Sequence, residues 1–263
     1  MAAKTVPPDR HKGNPKKTDG SSRGGKNKRN IAKPLTIIFI LLVVLILAGA
    51  ASAAGLVAYY LRDCPALDVD LLKTVETSIL YDNLGNEVTA LHAEQNRLYI
   101  PLSEIPDHMQ KAVIALEDER FEKHFGFDII GFMRALYVNL RTKSFSQGAT
   151  TLTQELVQHS YLTQEKSIKR KVQEIWLAVQ LEQQFSKDEI LEMYLNRMYF
   201  GNGAYGVETA SQTYFNKSVG EITIAEAALL AALLRAPEYY NPFINKEEAE
   251  ARAKLALNNM KRL

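Results

Sequence analysis

The stretch "ITIAEAALLAALLRAP", residues Ile222 to Pro237, decides the fold class of this 263-residue chain. Thr223 followed by Glu226 is a capping box, which predicts that a helix begins there. The helix is apolar on nearly every side, so it belongs in the centre of a core rather than on a surface. Its length of about twelve residues is too short to cross a bilayer. The stretch therefore predicts a core helix that stops before Pro237.

Helical patterns continue on the N-terminal side of this stretch. Further capping boxes, Ser186 with Glu189 and Thr151 with Gln154, predict two more helix starts. Between them, four apolar residues recur at helical spacing and predict one face of a helix: Ile168, Val172, Ile175 and Val179. The closely spaced Gly201, Gly203 and Gly206 predict a tight connection between two helices. The body of the protein is therefore predicted to be mainly α-helical.

A different pattern precedes the helices. The segment "SILYDNLGNEVTALHAEQNRLYIPL", residues 78–102, alternates apolar and polar side chains around a turn at 82–86. This alternation predicts a small β-hairpin at the N-terminal side of the helical domain. The five histidines show no zinc-ligand spacing, and no Ser-His-Asp pattern or dinucleotide-binding loop is present.

The N-terminal region is polarised in charge. Residues 1–34 carry ten Lys or Arg against two Asp, whereas the rest is acidic and the chain as a whole has a net charge of +2. Residues 35–61 are uncharged and exceed the roughly 20 residues that cross a bilayer. The positive-inside rule puts the basic end in the cytoplasm and the body outside. A cleaved signal peptide is the alternative, but a 34-residue segment before the apolar run is long for one.

These patterns divide the chain into four parts. Residues 1–34 are a basic, disordered cytoplasmic tail, and residues 35–61 are a transmembrane helix that keeps the protein in the cell membrane as a single-pass protein. Residues 62–76 are a connector, and residues 77–263 are the extracytoplasmic domain. A basic tail beside an anionic membrane does not make a nucleic-acid-binding surface, so nucleic acid is excluded as a partner. Cys64 is the single cysteine, so the domain has no internal disulfide.

Four acids fall within six positions of "IALEDERFEKHFG", Ile114 to Gly126. Glu117 is spaced four or eight residues from Met109, Val113 and Phe121, which predicts a carboxylate on an apolar helix face. Lost hydration raises the pKa of such a group and suits it to act as a general base. Asp118 and Glu119 point elsewhere and fit a solvated face. His124 is predicted to follow two turns along the face of Glu117. The alternative is that all the acids form a solvated face with local ion pairs.

Two further segments indicate an anion. In "SQGATTLTQEL", residues 146–156, a glycine and hydroxylated side chains precede a helix whose free N–H groups can bind an anion, although an ordinary capped helix has the same pattern. Next, Lys166, Lys169, Arg170 and Lys171 crowd the start of another helix, where cations oppose the helix dipole. This basic cluster predicts a compensating anion, either a phosphate-bearing ligand or anionic lipid headgroups.

The order of these motifs resembles that of a known family. Glu117-Asp118 with Phe121, His124 and Gly126 comes first, and "GATTLTQ", "RKVQE", "KDEILEMYLN" with Gly201, and "RAPEYYNP" follow. This series is similar to the five-motif signature of the peptidoglycan glycosyltransferases, glycosyltransferase family 51. Together with the tail, the anchor and the hairpin, it resembles the N-terminal half of a bifunctional class A penicillin-binding protein. The resemblance leaves open whether a transpeptidase domain follows Leu263.

The resemblance implies a lysozyme-like, two-lobed helical glycosyltransferase domain that polymerises lipid II into β-1,4-linked glycan strands with inversion, releasing undecaprenyl pyrophosphate. Glu117 is implied as the general base and Glu174 as a second carboxylate near the pyrophosphate or its divalent cation. The implied substrate-binding residues are Asp118, Arg134, Gln147, Thr150, Thr151, Gln154, Lys166, Arg170 and Lys171. The segment "FDIIGFMRALYVNL", residues 127–140, resembles the membrane-dipping jaw of the family, although core packing gives the same spacing.

The resemblance also sets expectations for cofactors and partners. It implies a divalent cation, Mg²⁺ or Mn²⁺, with Glu174 as its ligand, and no organic cofactor. Its expected partners are lipid II, the growing glycan chain, membrane lipids, and proteins of cell-wall synthesis or division.

Three residues depart from the family pattern. Thr150 stands where Ser is usual, Glu155 where a second Gln is usual, and Gln158 where many members have a Lys that contacts the pyrophosphate. Gln158 therefore favours one alternative, a non-catalytic scaffold for cell-wall assembly. A lysozyme-like enzyme that cleaves glycans is the other alternative, but such an enzyme has no pyrophosphate to bind.

Overall fold

The computed structural model of the protein describes residues 32–72, 78–81, 84, 87–91, 96–144, 148–163 and 165–263. The chain divides into two units, Met1–Ala53 and Ala54–Leu263. Within the described residues the helices are α1 Ala32–Leu61, α2 Asp107–Glu117, α3 Ile129–Thr142, α4 Leu152–Tyr161, α5 Ile168–Gln184, α6 Lys187–Arg197, α7 Val207–Phe215, α8 Ile224–Leu233 and α9 Lys246–Arg262. The strands are β1 Ser78–Tyr81, β2 Glu87–Leu91, β3 Asn96–Arg97 and β4 Ala204–Tyr205. The prediction of a mainly α-helical protein is confirmed.

Helix α1 contains the long apolar segment, most of which belongs to the first unit. The segment Thr36–Leu61 has 26 residues, a mean hydropathy of 2.9 and no buried residues, so it is long and apolar enough to cross a bilayer. The segment 35–61 predicted from the sequence falls within this helix. The basic tail lies outside the described residues up to residue 31, and residues 32–34 belong to α1.

In the second unit, α8 is the central helix, as its composition predicts. It packs against α2, α7 and α9, and its Ala227, Ala228, Ala231 and Ala232 are completely buried. Because alanine has so small a side chain, the α9 helix approaches α8 closely and contributes Ala253 and Ala256 to the same contact. The capping box of Thr223 and Glu226 is present at the start of α8. This packing fixes α2 and α9 on neighbouring sides of one core.

The other predicted local structures are also observed. The capping boxes at Thr151 and Ser186 begin α4 and α6. Strands β1 and β2 form the predicted antiparallel hairpin, with an irregularity between Leu80 and Tyr81, and β3 pairs with β4 in parallel. The glycine-rich connection between α6 and α7 is tight, since Gly201, Gly203 and Gly206 all have positive φ.

The buried side of helix α5 is partly polar. The predicted helix is present, and its buried residues are Gln173, Glu174, Leu177, Ala178 and Leu181 rather than the apolar series. Ile168, the first residue of that series, is 72% exposed. Val172, Ile175 and Val179 are partly buried, and a polar pair, Gln173 and Glu174, occupies the core side.

Helix α3 leaves its apolar side chains outside the core. Ala135 is its single buried residue. The exposed apolar residues are Ile129, Ile130, Phe132, Met133, Leu136, Tyr137 and Leu140. The alternative that the apolar spacing of residues 127–140 reflects core packing is therefore wrong.

Gly126 lies in the loop that follows α2, and the backbone of α5 packs closely against it. Its φ is +93°, and a Cβ atom there would lie 2.5 Å from the carbonyl oxygen of Ala178 in α5. We expect Gly126→Ala to lower the free energy of unfolding by at least ~2 kcal/mol, because strain and a backbone clash add. Gly203→Ala is the matched control: φ is +74° with no neighbour within 4 Å, so the expected loss is about 1 kcal/mol. Urea unfolding of both variants checks this, and equal losses would contradict the clash.

Candidate active site

Glu117 is the last residue of α2, and its carboxylate is 8% exposed. Its Oε1 accepts a hydrogen bond of 2.8 Å from the guanidinium of Arg252 in α9. Burial raises the pKa of Glu117 above its ordinary value, while the charges of Arg252 and Arg235 oppose the rise. A desolvated carboxylate that keeps one cationic partner can accept a proton near neutral pH.

Two cavities meet at Glu117. The larger has a volume of about 500 Å³, and the smaller one of about 370 Å³. Glu117, Thr150 and Arg235 line both of them. A single carboxylate therefore faces two spaces, each of which is large enough to hold part of a sugar-sized ligand.

Several of the predicted site residues line the larger cavity. Asp118, Arg134, Thr150 and Thr151 line it together with Glu117. Arg134 reaches it from the exposed side of α3. The structure thus brings five of the predicted residues to one cavity.

Asp118 corrects a prediction, because it is buried rather than part of a solvated face. Helix α2 ends here, with φ −152° and ψ 73° at Asp118, so the residue turns away from the helical direction. Its Oδ2 accepts hydrogen bonds from His124 Nε2 at 2.8 Å and from the Leu152 N–H at 3.1 Å. Because the Gly126 N–H donates to Nδ1 of His124, the ring proton is on Nε2 and points to Asp118. The predicted alignment of His124 and Phe121 with Glu117 on one helix face is therefore wrong.

Thr151 and Gln154 act first as the cap of α4. The Thr151 N–H donates to Gln154 Oε1 at 3.0 Å, and the Thr151 hydroxyl donates to the Gly126 carbonyl at 2.8 Å. Gln154 is completely buried and lines neither cavity, and its Nε2 has no hydrogen-bond partner among the described residues. Its substrate contact stays a prediction. Gln147 lies outside the described residues.

Glu174 lies on α5 and is completely buried, and two of the predicted basic residues bind its carboxylate. Arg170 donates to its Oε2 at 3.3 Å, and Lys171 donates to its Oε1. The Lys171 ammonium also lies 3.5 Å from the Thr150 hydroxyl, next to both cavities. Part of the anion predicted for the basic cluster is thus supplied by Glu174 itself. Two cations share one carboxylate, so one positive charge remains beside Thr150.

The remaining basic residues lie further away. Lys169 pairs with Asp63 at 2.7 Å in an exposed ion pair, and Lys166 is exposed and lines neither of the two cavities. The contact of Lys166 with substrate stays a prediction.

The surroundings of Glu174 do not fit the expected divalent cation. Both carboxylate oxygens accept hydrogen bonds from cationic side chains, and Mg²⁺ prefers several free oxygen ligands. Across the part of the chain that the structure describes, no three His, Cys, Asp or Glu side chains are grouped to hold a metal ion.

Three residues of the site were not assigned from the sequence. Arg252 and Arg235 bring positive charge to Glu117, and Glu155 shares the smaller cavity with it. Arg235 opens the "RAPEYYNP" motif, which was a usable signal. Arg252 lies 135 residues from its partner in an ordinary charged helix, and no local pattern marks it.

The Glu117–Arg252 pair generates a prediction. We expect Arg252→Met to lower the free energy of unfolding by ~3 kcal/mol at pH 7, because it leaves a buried carboxylate without its partner. The loss of Arg252 raises the pKa of Glu117 further, so the variant's deficit grows as the pH rises from about 5 to 7. Urea unfolding at several pH values checks this.

Arg262→Met is the matched control on the same helix. Its pair with Glu119 has side chains 61% and 39% exposed, so the expected loss is below ~1 kcal/mol. Arg252 also donates to the Ala232 carbonyl and stacks on Tyr240. Those contacts are lost equally at every pH, and a deficit that does not change with pH would contradict the assignment to Glu117.

Comparison with known proteins places these features in a family. A family model described as Transglycosylase matches residues 84–261. Penicillin-binding protein 1A/1B of Bacillus subtilis (strain 168) is 40% identical over 256 residues, which cover 96% of this chain and 28% of that protein. Penicillin-binding protein 1A of Escherichia coli (strain K12) is 43% identical over 224 residues, which cover 84% and 26%. The chain thus spans less than a third of the length of these two relatives.

Among solved structures, the crystal structure of penicillin-binding protein 1A from Haemophilus influenzae is 23% identical. It covers 73% of this chain and 19% of its own, with a TM-score of 0.37 that is too low to bear on the site. The family model and the sequence relatives identify the family without that structure. They confirm the resemblance stated above: the chain belongs to the transglycosylase family, the glycosyltransferase domain of class A penicillin-binding proteins.

Proposed function

We propose that this domain is a peptidoglycan glycosyltransferase that polymerises lipid II into β-1,4-linked glycan strands. The observation that carries the proposal is the position of Glu117, a desolvated carboxylate at the meeting point of two cavities. The two cavities offer a donor and an acceptor sugar site with the base between them. A glycan-cleaving enzyme also holds sugars on both sides of its acid, but it has no pyrophosphate leaving group, so the cations near Thr150 favour the transferase. Family membership supports the same reaction.

In the proposed reaction, Glu117 takes the proton of the 4-hydroxyl group of an acceptor GlcNAc. That oxygen forms a bond to C1 of the donor MurNAc while the bond from C1 to the pyrophosphate oxygen breaks. The electron pair of the broken bond leaves with undecaprenyl pyrophosphate, and the anomeric centre is inverted. Arg252 keeps Glu117 ionised and ready to accept the proton, because it offsets part of the cost of burying the charge.

The leaving group requires positive charge where its negative charge develops. Arg235 lines both cavities, and Lys171, although it lines neither, lies 3.5 Å from the hydroxyl of Thr150, which lines both. Glu174 accepts a hydrogen bond from Lys171 and holds it there, so Glu174 acts as a positioning residue in this proposal. Gln158 lines the smaller cavity and supplies an amide where many relatives have a Lys. In this proposal Arg235 and Lys171 supply the positive charge that the amide of Gln158 does not.

The base is tested with labelled lipid II in detergent, with and without Mg²⁺ or Mn²⁺. We expect glycan ladders from the native protein and a loss of at least about a hundredfold in rate for Glu117→Gln, because the amide cannot accept the proton. Glu122→Gln is the matched control, since Glu122 is an exposed glutamate five residues away that lines neither cavity. Equal activity of Glu117→Gln and native protein would contradict the role of Glu117.

Other outcomes decide between the alternatives. Shortened chains from preformed glycan would favour a glycan-cleaving enzyme. If native protein makes no glycan ladders but Gln158→Lys does, the fold would be that of a glycosyltransferase whose site has lost its activity in this chain. Binding of lipid II without ladders from either protein would favour a scaffold for cell-wall assembly, whose partners would be proteins of wall synthesis or division.

We propose that α1 anchors the protein in the cell membrane with its N-terminus in the cytoplasm and that α3 contacts the outer surface of the same bilayer. The support is the contrast between α3 and the other helices of the second unit, because α3 exposes seven large apolar side chains and buries only Ala135. An amphipathic helix with such a face binds at the boundary of headgroups and acyl chains. A substrate with a polyprenyl tail is delivered at that boundary.

Depth-dependent quenching tests the contact of α3 with lipid. In full-length protein carrying Cys64→Ala and reconstituted into vesicles, a fluorophore on Leu140→Cys is expected to be quenched by nitroxide-labelled lipids. Ile224→Cys on α8 is the control, because Ile224 is similarly exposed but lies on a helix of the core. Quenching at position 224 that equals quenching at position 140 would contradict a specific contact of α3.

A further inference from the structure

The smaller cavity contains two carboxyl groups. Glu117 reaches it from the end of α2, and Glu155 reaches it from α4, one helical turn before Gln158. Two carboxylates in one partly enclosed cavity repel each other, so they do not ionise independently. The position of each determines which one carries the charge.

Glu117 has the better environment for a negative charge. It accepts a hydrogen bond from the cationic Arg252 at 2.8 Å, whereas Glu155 accepts one from the neutral hydroxyl of Tyr194 at 2.9 Å. A charge-assisted hydrogen bond stabilises a carboxylate more than a neutral donor does. Burial raises the pKa of Tyr194 well above its ordinary value, so Tyr194 keeps its proton and remains a donor.

The charges around Glu155 come from several elements. Acids face it from α2 and its end, Glu117 and Asp118, and from α5, Glu174. The other titratable and charged groups near it are Tyr194 on α6, His159 on its own helix, and Arg235, Tyr239 and Tyr240 beyond α8. Burial and the charge of Glu117 raise the pKa of Glu155 to about 8. At neutral pH the group is therefore a neutral carboxylic acid.

We propose that Glu155 is a positioning residue that acts through Glu117: it holds a proton so that the smaller cavity contains a single negative charge, and losing that proton switches the transfer reaction off in alkaline solution. This inference rests on the proposed function. In its neutral form Glu155 substitutes for the amide that is usual at this position in the family. In its ionised form it adds a second negative charge beside the base, which opposes the binding of a pyrophosphate-linked donor.

The protonation of Glu155 is tested without substrate. The carboxyl binds its proton more tightly in the folded state, so its contribution to stability is complete below the unfolded pKa of about 4.5 and is lost as the pH rises to about 8. The unfolding midpoint of native protein should therefore fall relative to that of Glu155→Gln, and the gap should widen by about 5 °C or more between pH 5 and 8. Gln keeps the shape of the side chain and accepts the Tyr194 hydrogen bond.

Glu122→Gln is the control for this measurement, because Glu122 is an exposed glutamate. The gap between this variant and native protein should not change with pH. A constant gap between native protein and Glu155→Gln over the same range would overturn the proposal, because Glu155 would then ionise normally.

The role in transfer is tested by the pH dependence of lipid II polymerisation. At pH 7 native protein and Glu155→Gln should have rates within about twofold, and at pH 9 native protein should be about tenfold slower, because one group with a pKa near 8 is then about nine-tenths ionised. Identical pH profiles would overturn the inference while leaving the proposed function intact. If neither protein polymerises at any pH, the proposed function fails, and with it the role in transfer, whereas a widening midpoint gap would still support the proton on Glu155.

Discussion

The hydrogen bonds of the Asp118 carboxylate hold the site together. One oxygen of Asp118 binds both the His124 ring and the first N–H of α4. This oxygen joins the end of α2, which carries Glu117, to the start of α4, which carries Thr151 and leads to Glu155. A buried carboxylate at a helix N-terminus is stabilised by the free N–H groups of the first turn. The distance between the proposed base and the opposite wall of the cavity therefore depends on this one side chain.

The second constraint is the compensation of buried charge. Each acid of the site has a different neighbour: Arg252 for Glu117, the His124 N–H for Asp118, Arg170 and Lys171 for Glu174, and the Tyr194 hydroxyl for Glu155. Cationic partners keep a carboxylate ionised, whereas burial beside a neutral donor favours the protonated form. Burial raises the pKa of both Glu117 and Glu155, but the cation beside Glu117 opposes the rise, whereas the charge of Glu117 adds to it at Glu155.

Local features of the fold could be predicted from the sequence, because they depend on a few adjacent residues. The capping boxes at Thr151, Ser186 and Thr223, the hairpin, and the glycine connection all have local causes and were confirmed. The burial of Glu174 could not be predicted from hydrophobic spacing, because the core accepts this polar residue only with Arg170 and Lys171 bound to it. Arg252 could not be predicted, because its pairing with Glu117 arises only when α9 packs beside α2.

Asp118 shows why the site is harder to predict than the fold. A helical projection assumes that the helix continues, and under that assumption Asp118 points to solvent. The helix ends at Glu117 instead, and the chain turns so that two consecutive acids enter different environments. Glu117 faces both cavities with a cation beside it, whereas Asp118, which also lines the larger cavity, directs one oxygen to His124 and to the start of α4. Because α2 ends at Glu117, the proposed reactive carboxylate and the carboxylate that supports the site occupy adjacent positions in the chain.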